Sequence, residues 1–162
     1  EKRFETLKKN YKNYKLIYDK NRKYEDFANW YFEKSLLGFS YSNSLRDSFG
    51  DQAERLNDSS YFYSCEKNKI SKYIAVVDDV ICRKSKNGND YMRLSVSDEF
   101  GRYNAIMVDG RDKKLSKFKS KSKIPEKDNI VLLLGSKGDD VLFLNEASIV
   151  DEKIYMKLSD LR

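Results

Sequence analysis

The sequence contains no histidine among its 162 residues, and cysteine, proline and glycine are scarce. Histidine is the side chain most used for proton transfer near neutral pH and the commonest zinc ligand, so its absence excludes histidine-dependent triads and histidine-based metal chemistry. The two cysteines, Cys65 and Cys82, lack the CxxC spacing of a zinc site and are too few for a disulfide framework. A reduced, cytoplasmic setting is therefore the expectation.

Long hydrophobic runs are also missing. The longest uninterrupted aliphatic stretch, residues 130–134, is far too short to span a membrane. No glycine-rich phosphate loop or dinucleotide-binding motif is present. We therefore expect no cofactor, no bound metal and no membrane association.

Acidic side chains occur in three adjacent pairs, which raises the question of a metal-dependent nuclease: Asp78-Asp79, Asp98-Glu99 and Asp139-Asp140. Neighbouring residues of a strand point to opposite faces, so no such pair is well placed to hold one metal ion. Aspartates in predicted turns serve backbone hydrogen bonding instead. The sequence therefore predicts a non-catalytic segment.

The net charge is +6, and its location is more informative than its size. Residues 111–123 carry seven basic side chains and one acidic side chain, which equals the whole excess. A stretch of this kind either forms a solvated surface or contacts phosphates, and the sequence leaves both interpretations open.

Residues 1–38 show apolar side chains at three- and four-residue steps, which is typical of helices. Asn21 is a plausible break between two helices, and Gly38 is placed to cap the second. The aromatic stripe on these helices is interpreted as packing. Residues 40–60 are polar, with one short helix expected near 51–56, so residues 1–69 are predicted to be a helical lead-in and connector.

From residue 70 the pattern changes to short β-type runs, which predicts a β-domain over residues 70–162. The runs cover residues 72–84, 91–97, 102–108, 129–134 and 141–149, with a basic helix at about 111–119. Three strands, a helix and a two-strand hairpin are the element order of the OB-fold, a five-stranded barrel. The predicted fold class is thus α+β, with helices followed by an OB-fold barrel.

The OB-fold binds ligands on the outer face of its second and third strands and on the adjoining loops. In the second strand the apolar side chains Met92, Leu94 and Val96 must face the barrel interior, which leaves Tyr91 and Arg93 outside. A ring and a guanidinium there suit base stacking and phosphate neutralisation. The alternative is that Tyr91 and Arg93 are ordinary surface residues that pair across strands and bind no ligand. The third strand is ambiguous, because both of its faces are mixed.

The predicted nucleic-acid-binding residues come from this face, its loops and the basic helix. They are Arg83, Lys84, Lys86, Asn87, Tyr91, Arg93, Tyr103, Lys113, Lys114, Lys117 and Lys137.

Four segments carry a further pattern, namely residues 32–45, FEKSLLGFSYSNSL, and residues 73–77, 84–88 and 94–101. Residues 32–45 resemble the EKELLGFYLSGHPL signature that precedes the OB domain of one family, the alpha subunit of bacterial DNA polymerase III. Residues 73–77, 84–88 and 94–101 are similar to that domain's VAGIV, RTKKGK and TLEDETG segments. Asn43 and Ser44 replace the His-Pro pair of the signature, which indicates a divergent member of phage or bacterial origin.

The resemblance implies a non-catalytic region of a replicative polymerase that contacts single-stranded template, with other replisome proteins such as the sliding clamp as further partners. The family's catalytic carboxylates lie upstream of this region. No convincing clamp-binding motif occurs in residues 1–24, and residues 52–56 match one only loosely.

Two other functions stay open at this point. The OB surface or the aromatic helices could dock another replication protein, with DNA contact incidental. The domain could also bind tRNA or another RNA, as anticodon-recognition OB domains do. Single-stranded DNA is the first expectation.

Overall fold

The computed structural model describes residues 2–22, 25–38, 40–48 and 59–151, which form two helices followed by a β-barrel. Helix α1 spans Lys2–Asn21 and helix α2 spans Glu25–Leu37, which confirms the predicted break near Asn21. Gly38 ends α2 with a φ of +85°, a conformation that glycine adopts without a steric penalty. Its N–H donates to the carbonyl of Lys34 at 2.9 Å.

Five long strands and one short strand form a single sheet. Their bounds are β1 Ser59–Ser60, β2 Ile70–Lys84, β3 Asp90–Asp98, β4 Gly101–Val108, β5 Ile130–Lys137 and β6 Val141–Asp151. Helix α3, Lys114–Lys121, lies between β4 and β5, and one 3-10 turn covers Phe62–Ser64. The two-residue strand β1 was not predicted. The short helix expected near residues 51–56 falls outside the described residues.

The five long strands close into a barrel. Strand β2 pairs antiparallel with β3 and with β5, β3 pairs with β4, and β5 pairs with β6. A short parallel contact between β4 and β6 completes the ring. The predicted OB-fold is confirmed by this topology. Strand β2 pairs with β5 over its first half and with β3 over its second half. A bulge between Val77 and Asp79 lies near this change of partner.

The barrel interior is filled by the side chains on the inward face of each strand. Met92, Leu94 and Val96 of β3 are fully buried, as the two-residue alternation predicts. On β4 the buried set is Tyr103, Ala105 and Met107, which resolves the face that the sequence left ambiguous. Phe62, from the turn after β1, enters this core as well.

Helix α2 packs on the barrel exterior. Phe27 and Trp30 are buried against Ile74, Val76 and Ile130 of β2 and β5. Each buried aliphatic or phenyl side chain of such a contact stabilises the fold by about 1.5–3 kcal/mol. The aromatic stripe of α2 is therefore packing, as predicted.

Helix α1 differs from this expectation. Its apolar side chains Phe4, Leu7, Tyr11 and Tyr14 are 59–68% exposed. Helical periodicity shows which side chains share a face, and it does not show whether the chain supplies a surface to cover that face. The interpretation of this stripe as packing is wrong for α1.

Helix α3 begins three residues later than the predicted position 111. Lys113 adopts a left-handed φ of +49°, so the helix starts only after it. Leu115 and Phe118 are the side chains that α3 buries against the barrel. No helix in the described ranges is long and apolar enough to cross a bilayer.

Candidate nucleic-acid interface

The second half of β2, together with β3, β4 and the start of β6, forms one outer surface of the barrel. Strand register arranges its outward side chains in cross-strand rows, because directly paired residues point to the same face. One row contains Arg83, Tyr91 and Val108. The next row contains Ile81, Arg93, Ile106 and Phe143. These seven residues are called the front wall below.

The front wall combines rings, cations and aliphatic surface. Arg83 and Arg93 are exposed, and Tyr91 is half-buried beside Arg83 in its row. The structure thus places Tyr91 and Arg93 outside the barrel, where the alternation of β3 predicts them. An aromatic ring that is partly supported by neighbours and partly open can stack on a base, while the guanidinium groups can neutralise phosphates.

The loop between β2 and β3 extends this surface. Ser85 and Asn89 close it, because the N–H of Ser85 donates to the carbonyl of Asn89 at 2.7 Å. Gly88, with a φ of +78°, supplies the left-handed position that the turn requires. Lys84, Lys86 and Asn87 are exposed on this tight hairpin. Six of the predicted residues are thus brought together by the front wall and its loop.

Tyr103 is a correction to the sequence expectation. Its ring is only 4% exposed and lies parallel to the Phe62 ring, with 4.3 Å between ring centroids. Burial raises the pKa of its hydroxyl well above the usual range. A ring enclosed in the barrel interior offers no face to a base, so Tyr103 is a core residue.

The remaining predicted lysines are distributed differently. Lys113 is exposed in the segment that follows β4. The Asp109 N–H ties this segment to the start of β3, because it donates to the Asp90 carbonyl at 2.7 Å. Lys114 and Lys117 line a separate groove against β5 and β6. Lys137 donates to the Cys65 carbonyl at 2.8 Å. The ammonium of Lys137 also lies 4.9 Å from the Phe62 ring centroid, which ties it to the 3-10 turn.

Sequence reasoning missed Phe143, whose ring is 53% exposed on the front wall. Leu142 and Leu144 on either side of it are buried, and strand residues alternate between faces, so Phe143 lies on the outer face. In the sequence the run Val-Leu-Phe-Leu is uniformly apolar, so no polar residue marks which face is outward. Ile106 lies on β4, whose faces the sequence leaves ambiguous, and Ile81 was not among the predicted residues.

The acidic pairs have structural partners. Asp98 accepts hydrogen bonds from the N–H groups of Phe100 at 2.8 Å and Gly101 at 3.2 Å, which fixes the turn between β3 and β4. Asp78 pairs with Arg102, and Asp139 pairs with Lys67. Across the part of the chain that the structure describes, no group of three or more cysteine and carboxylate side chains is arranged to hold a metal ion.

Comparison with known proteins gives fold-level likeness alone. No protein-family model matches the chain. No curated protein matches it either.

Several solved structures are similar to it. The second OB-fold domain of replication protein A from Methanococcus maripaludis is 14% identical, covering 58% of this chain and 96% of its own, with a TM-score of 0.42. The mitochondrial single-stranded DNA binding protein Rim1 of S. cerevisiae is 11% identical, covering 53% of this chain and 98% of its own, with a TM-score of 0.42. The single-stranded DNA binding protein of Thermus aquaticus is 12% identical, covering 51% and 40%, with a TM-score of 0.39. The chain has the OB-fold, and its strand pairing is the basis for that assignment.

Proposed function

We propose that the front wall and the loop of residues 84–87 bind single-stranded DNA without reading its sequence. The observation that carries this proposal is the pair of adjacent cross-strand rows, which put Tyr91 and Phe143 on the same face as Arg83 and Arg93. Stacking requires an accessible ring, and phosphate binding requires a nearby cation. Both occur here within two rows of one sheet.

The electrostatic part of the mechanism is counterion release. Arg83, Arg93 and the loop lysines replace cations that are condensed on the phosphates, so affinity falls as salt rises. The aromatic part is insensitive to sequence, because every base has a π-face. Ile106 and Val108, both on β4, supply apolar surface between the rings, and Ile81 adds apolar surface on the other side of Arg93. Lys113 adds one more cation, close to Asp109 just after β4.

We further propose that this region belongs to a replicative polymerase of the DNA polymerase III alpha type, where it guides the unpaired template. Support comes from contacts between residues 32–45 and residues 94–101, two of the segments that carry the resemblance. The N–H of Leu45 donates to the Glu99 carboxylate, and Lys34 donates to the Ser97 hydroxyl. Two segments that both resemble the same family hold each other in place here, which is the arrangement that a shared origin predicts. The reading frame around this segment tests the assignment, and a frame without polymerase carboxylates upstream would contradict it.

Fluorescence anisotropy with a labelled oligothymidine strand tests the binding proposal. The Arg83→Ala/Arg93→Ala protein should bind about tenfold more weakly at low salt, and its slope of log affinity against log salt should be shallower by about 1.4. The matched control is Arg3→Ala, an exposed arginine of α1, which should leave both quantities unchanged.

Two results would contradict the binding proposal. One is undetectable binding of the wild-type protein at low salt, and the other is equal affinity of the double variant and the control. Titrations with duplex DNA and with structured RNA belong in the same series. If structured RNA binds more tightly than oligothymidine, then structured RNA is the ligand of this surface and single-stranded DNA is not.

A further inference from the structure

A second surface lies between helix α3 and the outward faces of β2, β5 and β6. It is a groove of about 630 Å³, here called the rear groove. That volume lies within the range of small-ligand and peptide-anchoring sites. Strand β2 reaches it with Lys72 in its first half, whereas Arg83 in its second half belongs to the front wall. The two surfaces therefore share no residue.

The rim of the rear groove is basic. It contains four lysines, Lys72, Lys114, Lys117 and Lys121. Within the described residues none of these ammonium groups has an ion-pair partner. Lys114 is held in place, because its ammonium donates to the side-chain carbonyl of Asn145 at 2.8 Å. Asn145 reaches it from an irregularity in the pairing of β5 and β6. Unpaired cations gathered around one cavity favour an anionic occupant.

The floor of the rear groove is aliphatic. Leu132 and Leu134 are half-buried on the outward face of β5, and the nearly buried Phe118 ring closes the side that α3 forms. Leu134 lies directly between Lys72 and Glu146 in a cross-strand row. An occupant that covers these leucines gains from removing apolar surface from water.

The chemistry of the floor and rim distinguishes between two anionic occupants. Nucleic acid needs open rings for its bases, and the one ring here, Phe118, is only 9% exposed. The carboxylates of Asp112 and Glu146 also face the groove, and the phosphodiester backbone of DNA has no hydrogen-bond donor to offer them. A peptide has backbone N–H groups that can donate hydrogen bonds to these carboxylates. It also has aliphatic side chains that can pack on the leucines of the floor.

From these observations we infer that the rear groove docks an acidic segment of a partner protein, one that alternates carboxylate and aliphatic side chains. The carboxylates of this segment contact the lysines of α3 and β2, and its aliphatic side chains cover Leu132 and Leu134. Lys114 and Lys117 thus bind a protein partner. The inference does not depend on DNA binding by the front wall, because it uses none of the front-wall residues.

A fluorescein-labelled peptide that alternates Asp and Leu is the probe for this site, titrated into the whole 162-residue chain by anisotropy. Charge reversal in Lys117→Glu/Lys121→Glu should weaken binding at least about tenfold, because both lysines are rim contacts. Lys119→Glu is the matched control. Lys119 is exposed on the same helix but does not line the groove, so its reversal should change affinity less than about twofold.

The aliphatic floor is tested from the side of the ligand. A second peptide that alternates Asp and Ser keeps the charge and removes the aliphatic contacts, so it should bind at least about fivefold more weakly. This comparison needs no protein variant, and it stays decisive if charge reversal disturbs the fold.

Three outcomes would overturn the inference. They are absence of peptide binding to the wild-type chain, equal binding of the two peptides, and equal effects of the double variant and Lys119→Glu. Oligothymidine distinguishes this failure from failure of the front-wall proposal. If Lys117→Glu/Lys121→Glu weakens oligothymidine binding as much as Arg83→Ala/Arg93→Ala does, the rear groove is part of the nucleic-acid path and the peptide assignment is rejected.

Discussion

The rings of Phe62 and Tyr103 lie parallel, with an interplanar angle of 5° and 4.3 Å between their centroids. Phe62 comes from the turn before β2 and Tyr103 from the middle of β4, so this contact joins the connector to the barrel. Removing the Phe62 ring should therefore open a cavity in the core. We expect Phe62→Ala to lower the free energy of unfolding by about 3–5 kcal/mol, measured by urea denaturation.

Tyr103→Phe separates packing from hydrogen bonding at the same contact. The Tyr103 hydroxyl is buried and has no hydrogen-bond partner within the described residues. Deleting an unpartnered hydroxyl while keeping the ring should change the free energy of unfolding by less than about 1 kcal/mol and leave oligothymidine affinity unchanged. A large loss of affinity would show that Tyr103 reaches the ligand, contrary to its burial.

Phe143 should contribute to binding through stacking. Its ring is 53% exposed, so Phe143→Ala should leave the unfolding midpoint nearly unchanged while weakening oligothymidine binding about fivefold or more. Phe100, which is 62% exposed at the turn between β3 and β4, provides the control. Equal losses of oligothymidine affinity in Phe143→Ala and Phe100→Ala would mean that any exposed ring contributes to binding, whether or not it lies on the front wall.

The carboxylate of Glu33 organises the segment that follows α2. One oxygen, Oε2, accepts hydrogen bonds from the Ser40 hydroxyl at 2.9 Å and from the N–H groups of Tyr41 at 2.8 Å and Ser42 at 3.0 Å. The hydroxyl of Ser42 donates to the other oxygen. These bonds, led by those from Ser42, lower the pKa of Glu33 from 4.5 to about 2.

This shift makes stability depend on pH in a defined window. The folded state favours ionised Glu33, so the contribution is complete above pH 4.5 and is lost as pH falls toward 2. The difference in thermal midpoint between wild type and Glu33→Gln should be constant near neutrality and shrink across that window. Glu66→Gln, at an exposed carboxylate, should show no such trend. A wild-type advantage that persists unchanged at pH 2 would exclude this role.

Gly135 of β5 pairs with Leu144 of β6, next to an irregularity in the pairing of the two strands. A Cβ at this position would lie 2.3 Å from the carbonyl oxygen of Phe143, a backbone atom that cannot rotate away. We expect Gly135→Ala to lower the free energy of unfolding by about 3 kcal/mol. Gly110→Ala is the control, because its nearest neighbour is a flexible carboxylate oxygen at 3.7 Å. Equal stability of the two variants would contradict the close approach.

The sequence predicts much of the barrel because alternation along a strand is a local property. Met92, Leu94 and Val96 alternate with polar residues, so both the strand and its buried face could be predicted. The faces of β4 could not, since Tyr103 and Ile106 are both apolar enough for either side. Phe62 decides between them, and it lies about forty residues away in sequence.

The candidate site was predictable where polar residues interrupt an apolar pattern. Tyr91 and Arg93 satisfied that condition, whereas Phe143 lies in an apolar run and gave no such contrast. The rear groove required the fold, because Lys72 and Lys121 are brought to one cavity only by the packing of α3 beside β5. The exposed apolar stripe of α1 could not be predicted either. Helical periodicity shows which side chains share a face, but it does not show what packs against that face.

Closure of the barrel has a consequence for how this protein recognises anything. Within the described residues each of the five long strands is paired on both sides over at least part of its length, so the closed ring leaves no strand with one whole edge free. The front wall and the rear groove lie on the faces of these strands, so recognition there depends on side chains. Ligand preference can change by substitution at a few outward positions while the hydrogen-bonded scaffold beneath them stays constant.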